Sequence, residues 1–380
     1  MTAMPRGIYL DHHAATPPIE RARRAMDEAR EVAWANPSSV HGAGRASRAI
    51  LERARDAIAR AIGAASADVV LTGGGTEACN LAVLGIAGDT PRHLVTTAIE
   101  HPAIAQPIAA LEARGWRVTR LAVPRGRAPS PEEVSRAITD DTALLAIQWV
   151  NHETGTILPV DAYAAIARAR SIPIVIDAIQ ALGKIPVDVV ATGATAIALA
   201  SHKVGGPAGA GALWITRDAR EIAPRLLGGA QERGRRAGSP DVVALAGFGA
   251  ACDALAERLE AMGSIAIRRD ALERAVASHP SIVINADAGP RVSTVISASA
   301  RGWRGTSLVA ALDLEGVQVA SGAACSSGVD RPSPVLAAMH EDEPWRASSS
   351  LRISLGPATT DDEIEGARGA LLRVLARPPA

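Results

Sequence analysis

The sequence ATAIALASHKVGGPAGAG, residues 194–211, places a lysine directly after a short apolar segment. Ala196–Ala200 has the length of a buried strand, and the glycines and proline that follow Lys203 indicate a turn. A charged ammonium at the end of a buried strand is costly unless it is paired or has lost its charge. A lysine loses that charge when it forms an imine with a carbonyl compound. The alternative is a surface lysine that opens a loop. The residues at the ends of the other predicted strands are needed to choose between these two interpretations.

The composition is that of a globular protein without unusual charge. The 380 residues include 40 basic and 40 acidic side chains, which argues against broad electrostatic binding to nucleic acid. Arginine far outnumbers lysine, which we attribute to a GC-rich coding bias. The three cysteines, Cys79, Cys252 and Cys325, are widely spaced and fit neither a disulfide framework nor a metal-binding pair. The N-terminus lacks a secretory signal, and no apolar run approaches bilayer-spanning length. We therefore expect a cytoplasmic protein without a metal site or a membrane partner.

Apolar segments and helical patterns alternate through the first 215 residues. This alternation predicts a mostly parallel sheet that is covered by helices on both faces. In such sheets, ligands bind outside the carboxyl ends of the strands. The predicted strands are Val69–Thr72, His93–Thr97, Trp116–Ala122, Ala143–Val150, Ile174–Ile176, Ala196–Ala200 and Ala212–Ile215.

The pattern changes after Pro240. A long helix, rich in alanine and leucine, is predicted to run to about Met262 and to connect two domains. Shorter strands and helices follow, which predicts a smaller α+β unit. We therefore expect a large domain over residues 1–262 and a small domain over residues 263–380. We expect the N-terminal arm of the large domain to pack against the small one.

Polar and glycine-rich segments follow the predicted strands. TGGGTEACN, residues 72–80, is a glycine turn that opens a helix, where free N–H groups and the Thr76 hydroxyl suit a phosphate. A plain helix N-cap is the alternative reading of that turn. Asp177 ends an apolar strand, so its carboxylate needs a cationic partner, and a protonated pyridine nitrogen would be one. His101, Asn151 and Gln180 also stand at strand ends, although each has an ordinary structural explanation. Together with Lys203, these residues supply what pyridoxal phosphate (PLP) requires.

Two further residues stand out in the C-terminal part. Cys325 lies in a turn-rich stretch of small residues, so we expect it on an exposed, mobile loop where its thiol can react. Arg352 interrupts an apolar strand, LRISLG. It either faces water on an edge strand or binds a carboxylate with two hydrogen bonds.

With these residues in view, the chain resembles the cysteine desulfurases, which are PLP enzymes of aminotransferase class V and fold type I. The resemblance runs nearly from end to end, and its motifs are long and in the family's order. It implies an α/β fold with a mostly parallel seven-stranded sheet flanked by helices, plus a smaller α+β domain. The motifs are YLDHHAATP, GGGTEACN, the pair Glu100–His101, VNHETGTILPV, VIDAIQALGKIPVD, SHKVGGPAGAGAL, GGAQERGRRAGS, SSGVDRPSPVL and LRISLG.

The resemblance assigns roles around the PLP ring. Lys203 would hold PLP as an imine, and His101 would stack on the ring and assist proton transfer. Asp177 would pair with the pyridine nitrogen, while Asn151 and Gln180 would face the ring oxygen. Lys203 or His101 would remove the α-proton of the substrate.

The resemblance also implies contacts to the phosphate and to the partner subunit. The residues that would hold the phosphate are Gly75, Thr76, Ala200, Ser201 and His202. Ser239, which replaces the family's usual threonine, would reach the other subunit's cofactor in a two-fold homodimer. Ala200 departs from the family pattern, because a hydroxyl-bearing residue is expected there.

Substrate binding and sulfur transfer follow from the same comparison. Arg352, with Asn36, would bind the carboxylate of L-cysteine. Cys325 matches the nucleophile that takes sulfur as a persulfide and passes it to an acceptor protein, such as an iron–sulfur scaffold. L-Alanine would be the other product.

Two other classes of function remain open at this stage. A class V aminotransferase or a selenocysteine lyase would keep the fold and change the chemistry, and Cys325 argues against the aminotransferase. A catalytically idle binding protein with a PLP fold is the third hypothesis. The presence of Lys203, Asp177, His101 and Arg352 argues against it.

Overall fold

The computed structural model describes residues 7–219, 222–322 and 331–377. Within those ranges the chain forms an α/β unit around a seven-stranded sheet and a smaller α+β unit. The strands are β1 (Ile8–Tyr9), β2 (Val69–Thr72), β3 (His93–Thr97), β4 (Arg117–Leu121), β5 (Thr142–Gln148), β6 (Ile174–Asp177), β7 (Ala196–Ala200), β8 (Gly211–Ile215), β9 (Ile282–Ile284), β10 (Val295–Ala300), β11 (Val317–Gln318) and β12 (Ser350–Ser354).

Helices cover both faces of the large sheet and one side of the small one. The α-helices are α1 (Glu20–Val32), α2 (Gly42–Ala61), α3 (Gly75–Ala87), α4 (Pro102–Glu112), α5 (Pro131–Ala137), α6 (Val160–Ala169), α7 (Val189–Thr192), α8 (Val242–Cys252), α9 (Leu255–Glu260), α10 (Met262–Ala277), α11 (Gly305–Leu314), α12 (Pro334–Met339), α13 (Trp345–Ser348) and α14 (Asp361–Leu375). None of these helices is both long enough and apolar enough to span a bilayer.

The large sheet has the strand order β2-β8-β7-β6-β5-β3-β4. The strands from β4 to β7 run parallel, whereas β8 is antiparallel to both of its neighbours, β7 and β2. The prediction of a mostly parallel seven-stranded sheet is therefore confirmed. The carboxyl ends of β5, β6 and β7 lie side by side at one edge of the sheet.

The alternating side chains of β7 explain how closely helix α3 packs beside the carboxyl end of this strand. Ile197 and Leu199 point to the core cluster that lies under α2, α6 and α8. The alternate alanines, Ala196, Ala198 and Ala200, point to the cluster under α3 and α4. Because an alanine face needs little space, α3 can approach the end of β7 closely.

The predicted long helix between Pro240 and Met262 is wrong. The structure has two helices there, α8 and α9, because Ala254 leaves the helical conformation (φ −98°, ψ 4°) between them, and α10 begins at Met262. After this break, the buried Arg258 side chain donates hydrogen bonds to the carbonyls of Gly183 (3.0 Å) and Lys203 (3.4 Å).

The N-terminal arm packs against the smaller unit, whose sheet has the order β12-β10-β9. β1 pairs in parallel with β11, and Leu10 is buried in the small unit's core with Leu351 and Ile353. The arm then continues to Thr16, whose N–H donates to the carbonyl of His202 at 2.8 Å. The arm thus links the small unit to the turn that carries Lys203.

Candidate active site

Lys203 ends a single 3-10 turn, Ser201–Lys203, that follows β7 directly. Its Nζ donates hydrogen bonds to the backbone carbonyls of His13 and Ala14, both at 2.7 Å. The amine is thus held by the arm at the carboxyl edge of the sheet, as expected for a lysine that acts on a ligand there.

Asp177 ends the neighbouring strand, β6, and is only 5% exposed. Its Oδ1 accepts the N–H of Ile179 at 2.9 Å, and the Cys79 thiol also hydrogen-bonds to the carboxyl group. Burial raises the pKa of Asp177 to about 6, against the opposing effects of the Ile179 N–H and the Lys203 charge. No ion pair within 4 Å of Asp177 is present among the described residues, and the Lys203 charge acts on the carboxylate from farther away, so a closer cation would stabilise it.

The N-terminus of α3 forms a narrow backbone cradle beside β7. A Cβ on Gly75, the first residue of α3, would collide with Ile179 Cδ1 and lie 3.1 Å from the Cβ of Ala200. A Cβ on Gly211 would lie 2.5 Å from the carbonyl carbon of Gly74. Thr76 is exposed at the mouth of this cradle. Free N–H groups and a hydroxyl in such a place suit an anion, as predicted for a phosphate.

Ser201 and His202 occupy the turn beside the cradle. The Ser201 hydroxyl is buried, has no hydrogen-bond partner among the described residues, and lies against Gly206. Burial, with the neighbouring Lys203 and Lys184 charges, lowers the pKa of His202 to about 4. The His202 imidazole is therefore neutral at pH 7 and can donate one N–H to an anion.

His101 forms the N-cap of α4. Its Nδ1 accepts the N–H of Ala103 at 3.0 Å, and its ring meets the ring of His152 edge to face, with the centroids 4.8 Å apart. Burial, with the charges of Lys203 and Arg352, lowers the pKa of His101 to about 4. Because Nδ1 accepts a hydrogen bond, the single proton of the neutral ring is on Nε2.

Asn151 and Gln180, which the sequence analysis assigns to the ring oxygen, are both buried. The Nδ2 of Asn151 donates to the Ile99 carbonyl at 3.0 Å and to Gln148 Oε1 at 3.4 Å. The Nε2 of Gln180 donates to the His13 carbonyl at 2.8 Å. The Gln180 amide thus has one N–H left for a ligand, and Asn151 would have to give up its longer bond.

Arg352 lies in β12 and is 3% exposed, so it does not face water. Its Nη2 pairs with Asp11 Oδ1 at 2.7 Å, and its Nη1 donates to the His152 carbonyl at 3.3 Å. Its Nε is buried without a hydrogen-bond partner among the described residues. A buried guanidinium with unused donors fits the binding of a carboxylate.

The structure places three other predicted residues away from this group or outside its description. Asn36 is exposed, its Oδ1 accepts the N–H of Ser38 at 2.9 Å, and among the described residues it makes no hydrogen bond to Arg352. Ser239 is exposed on the surface of the chain. Cys325 lies outside the described residues.

Sequence reasoning missed several residues that build the site. The carbonyls of His13 and Ala14 hold Lys203, but a backbone acceptor leaves no sequence signal. Glu153 is recognised from the sequence only as a polar residue at a strand end, beside Asn151. It is buried, burial raises its pKa to about 7, and its Oε2 accepts a hydrogen bond from the Ser333 hydroxyl at 2.6 Å. Lys184 is also buried at the site. This residue could have been singled out from the sequence, because the chain contains only two lysines.

Comparison with known proteins gives one consistent result. The chain matches the class-V aminotransferase family over residues 8–366. It is 36% identical to the cysteine desulfurase IscS of Dictyoglomus turgidum, over 98% of this chain and 95% of that protein. It is 38% identical to an IscS-like cysteine desulfurase of Mycobacterium tuberculosis, over 97% and 96% of the two chains.

Solved structures with a similar fold point the same way. A NifS-like protein from Rickettsia africae superposes with a TM-score of 0.86 at 26% identity, covering 97% of this chain and 99% of that one. The structure described as SspA in complex with cysteine has a TM-score of 0.79 at 29% identity, covering 93% and 99%.

Proposed function

This chain belongs to the class-V aminotransferase family and is a PLP-dependent cysteine desulfurase within it, and we propose that Lys203, Arg352 and Cys325 carry its reaction. The substrate is L-cysteine. The observation that carries the proposal is the arrangement at the carboxyl edge of the sheet. There the Lys203 amine and the buried Asp177 carboxylate follow or end the adjacent strands β7 and β6, and the N-terminus of α3 follows β2, two strands from β7.

The residues present fit PLP. Asp177 makes no ion pair within 4 Å among the described residues, and a protonated ring nitrogen would supply one. The backbone of Gly74–Thr76 would hold the phosphate, and Lys203 would bind the aldehyde carbon. When bound, PLP supplies an electron sink that stabilises negative charge on the substrate's α-carbon.

Lys203 is the base that we propose for the α-proton. The Nζ of Lys203 is positioned by two carbonyls of the arm, so a released amine stays at the site. The Nε2 of His101 already carries the ring's only proton, because Nδ1 accepts from Ala103. His101 therefore serves as a neutral hydrogen-bond donor, and the choice between the two bases favours Lys203.

Arg352 is the residue that we propose for the substrate carboxylate. Its Nη1 bond to the His152 carbonyl is long, 3.3 Å, and is the one that a carboxylate can replace. The pair with Asp11 meanwhile fixes the plane of the guanidinium.

Cys325 is proposed as the sulfur acceptor on the basis of the family resemblance. Its thiolate would attack the sulfur of L-cysteine, so that an S–S bond forms while the Cβ–S bond breaks. The electron pair of the broken bond stays with the carbon, which takes up a proton and leaves as L-alanine. The persulfide on Cys325 would then pass its outer sulfur to an acceptor protein of iron–sulfur assembly or another sulfur pathway.

We also propose a cytoplasmic homodimer in which Ser239 reaches the partner's cofactor. Trp34 and Leu227 are 78% and 81% exposed, and large apolar side chains exposed close together are typical of an interface between subunits. The segments that carry them are close in space, since Pro37 and Gln231 line one cavity.

For the domain boundary we propose residue 262, because the buried residues of the small unit's core begin at Ile265, apart from those of the arm.

The test is release of alanine and sulfide from L-cysteine in the presence of a thiol reductant. The native chain is compared with Cys325→Ser and with the control Cys252→Ser, whose cysteine is buried in α8. We expect Cys325→Ser to bind PLP and to lose at least about a hundredfold in sulfide release, since the reaction has lost its nucleophile. The control should retain activity. If Cys325→Ser released sulfide at the native rate, the role of Cys325 would be wrong, and if the native chain formed pyruvate or a keto acid instead, the proposed reaction would be wrong.

A further inference from the structure

The chain uses lysine at only two of its 40 basic positions, Lys184 and Lys203, and arginine at the other 38. A coding bias toward arginine explains surface positions, where either cation serves. It does not explain the two that remain lysine. Lysine differs from arginine in one relevant respect, because a buried lysine can lose its proton and arginine cannot.

Lys184 is buried beside the proposed active site. It is 4% exposed, and its Nζ donates to Gln180 Oε1 at 2.7 Å. The charged groups that act on it are Arg258, Lys203 and Arg352, and no acidic partner lies within the described residues. Burial first, and then these three cations, hold the pKa of Lys184 well below its usual range. An arginine at this place would remain a buried and unpaired charge.

Lys184 and Lys203 are the two ends of one chain of hydrogen bonds. Lys184 donates to the Oε1 of Gln180, the Nε2 of Gln180 donates to the carbonyl of His13, and Lys203 donates to the same carbonyl. Rotating the Gln180 amide by half a turn would place its oxygen against the His13 carbonyl and its NH₂ group against Lys184. The His13 carbonyl, which only accepts, opposes the rotation, and a protonated Lys184 opposes it as well, so this orientation of the amide is favoured.

We propose that Lys184 is a positioning residue that fixes the Gln180 amide, so that the remaining N–H of Gln180 meets the oxygen of the PLP ring. The inference deepens the proposed function and rests on the placement of PLP by Lys203. The amine of Lys184 can donate this hydrogen bond with or without its extra proton.

The test measures PLP binding and the visible absorption of bound PLP, and does not depend on turnover. Lys184→Met keeps the length of the side chain and removes the donor. We expect its PLP dissociation constant to rise roughly tenfold and the pH midpoint of its visible absorption band to shift, because the Gln180 amide is then held at one end only, by the His13 carbonyl. The PLP-free protein should unfold at the same or a higher temperature, because an apolar side chain is better suited to this buried place.

A double-variant cycle with Gln180→Ala separates positioning from core packing. We expect Gln180→Ala alone to weaken PLP binding roughly tenfold. If Lys184 acts through Gln180, the double variant should bind PLP only a little more weakly than Gln180→Ala does. If the two losses multiply, or if Lys184→Met binds PLP with the native dissociation constant and spectrum, the inference is overturned. Should Lys184→Met fail to fold, Lys184→Gln, whose amide is too short to reach Gln180, is expected to show the same loss and serves in its place. A native chain that binds no PLP would instead overturn the proposed function.

Discussion

The site residues at strand ends were predictable, because burying a charged side chain there is energetically unfavourable unless the charge has a partner or a function. Asp177 and Lys203 both follow buried strands, and both lie at the site. What could not be predicted is how they are held, since Lys203 bonds to carbonyls of an arm about 190 positions away in sequence. Asn36 shows that a role assigned from the family resemblance need not appear in the structure, because its exposed side chain hydrogen-bonds within its own loop, to Ser38.

The titration of Asp177 gives a prediction for the PLP-free protein. Burial raises the pKa of this carboxyl from 3.8 to about 6, so the folded state binds the proton more tightly than the unfolded state does. The free energy of unfolding therefore decreases as the pH rises from about 4 to about 6, by about 3 kcal/mol for this group. In Asp177→Asn that contribution is absent, so the difference in unfolding free energy between the two proteins should change by this amount.

Urea unfolding at several pH values measures this difference, with PLP binding recorded alongside. Asp177→Asn is expected to be the more stable protein at pH 7 and to bind PLP more weakly, because the ring nitrogen loses its carboxylate. Parallel stability curves for the two proteins would show that Asp177 is not destabilised by burial.

At the scale of elements, the small residues of β7 and the first turn of α3 position the phosphate cradle. The alternation of apolar segments and helices was enough to predict these elements, with most bounds within one or two residues. The long helix after Pro240 was predicted wrongly, because its alanine-rich sequence is compatible with a helix throughout. The break at Ala254 follows from tertiary contacts of Leu255 and Arg258, which are buried and carry no local signal.

Gly75→Ala tests the closeness of α3 to β7. The added Cβ collides with Ile179 and crowds Ala200, so the chain must shift at the cradle. We expect a loss of about 1–3 kcal/mol in the free energy of unfolding and weaker PLP binding. The matched control is Gly263→Ala in the first turn of α10, where a Cβ meets no atom within 4 Å.

Chemical denaturation of both variants, with PLP titration, gives the result. The control should gain up to about 1 kcal/mol, as alanine does over glycine in an open helical position. Equal effects of the two substitutions would mean that the cradle is not closely packed.

At the scale of the whole molecule, the N-terminal arm joins the two units at the site. Asp11 pairs with Arg352 of the small unit, while His13 receives hydrogen bonds from Lys203 and Gln180 of the large one. The sequence predicted the arm and the parallel sheet, but not the antiparallel β8 or the strand order. Those depend on long-range packing, for which a single sequence carries little information.

Whether Lys203 is the residue that holds PLP can be measured directly, because the chain contains only two lysines. The purified holoenzyme is treated with borohydride, which makes the link to PLP permanent, and is digested and analysed by mass spectrometry. We predict the pyridoxyl group on the peptide that contains Lys203 and none on the peptide that contains Lys184. Labelling of Lys184, or of neither lysine in a protein that carries PLP, would contradict the account.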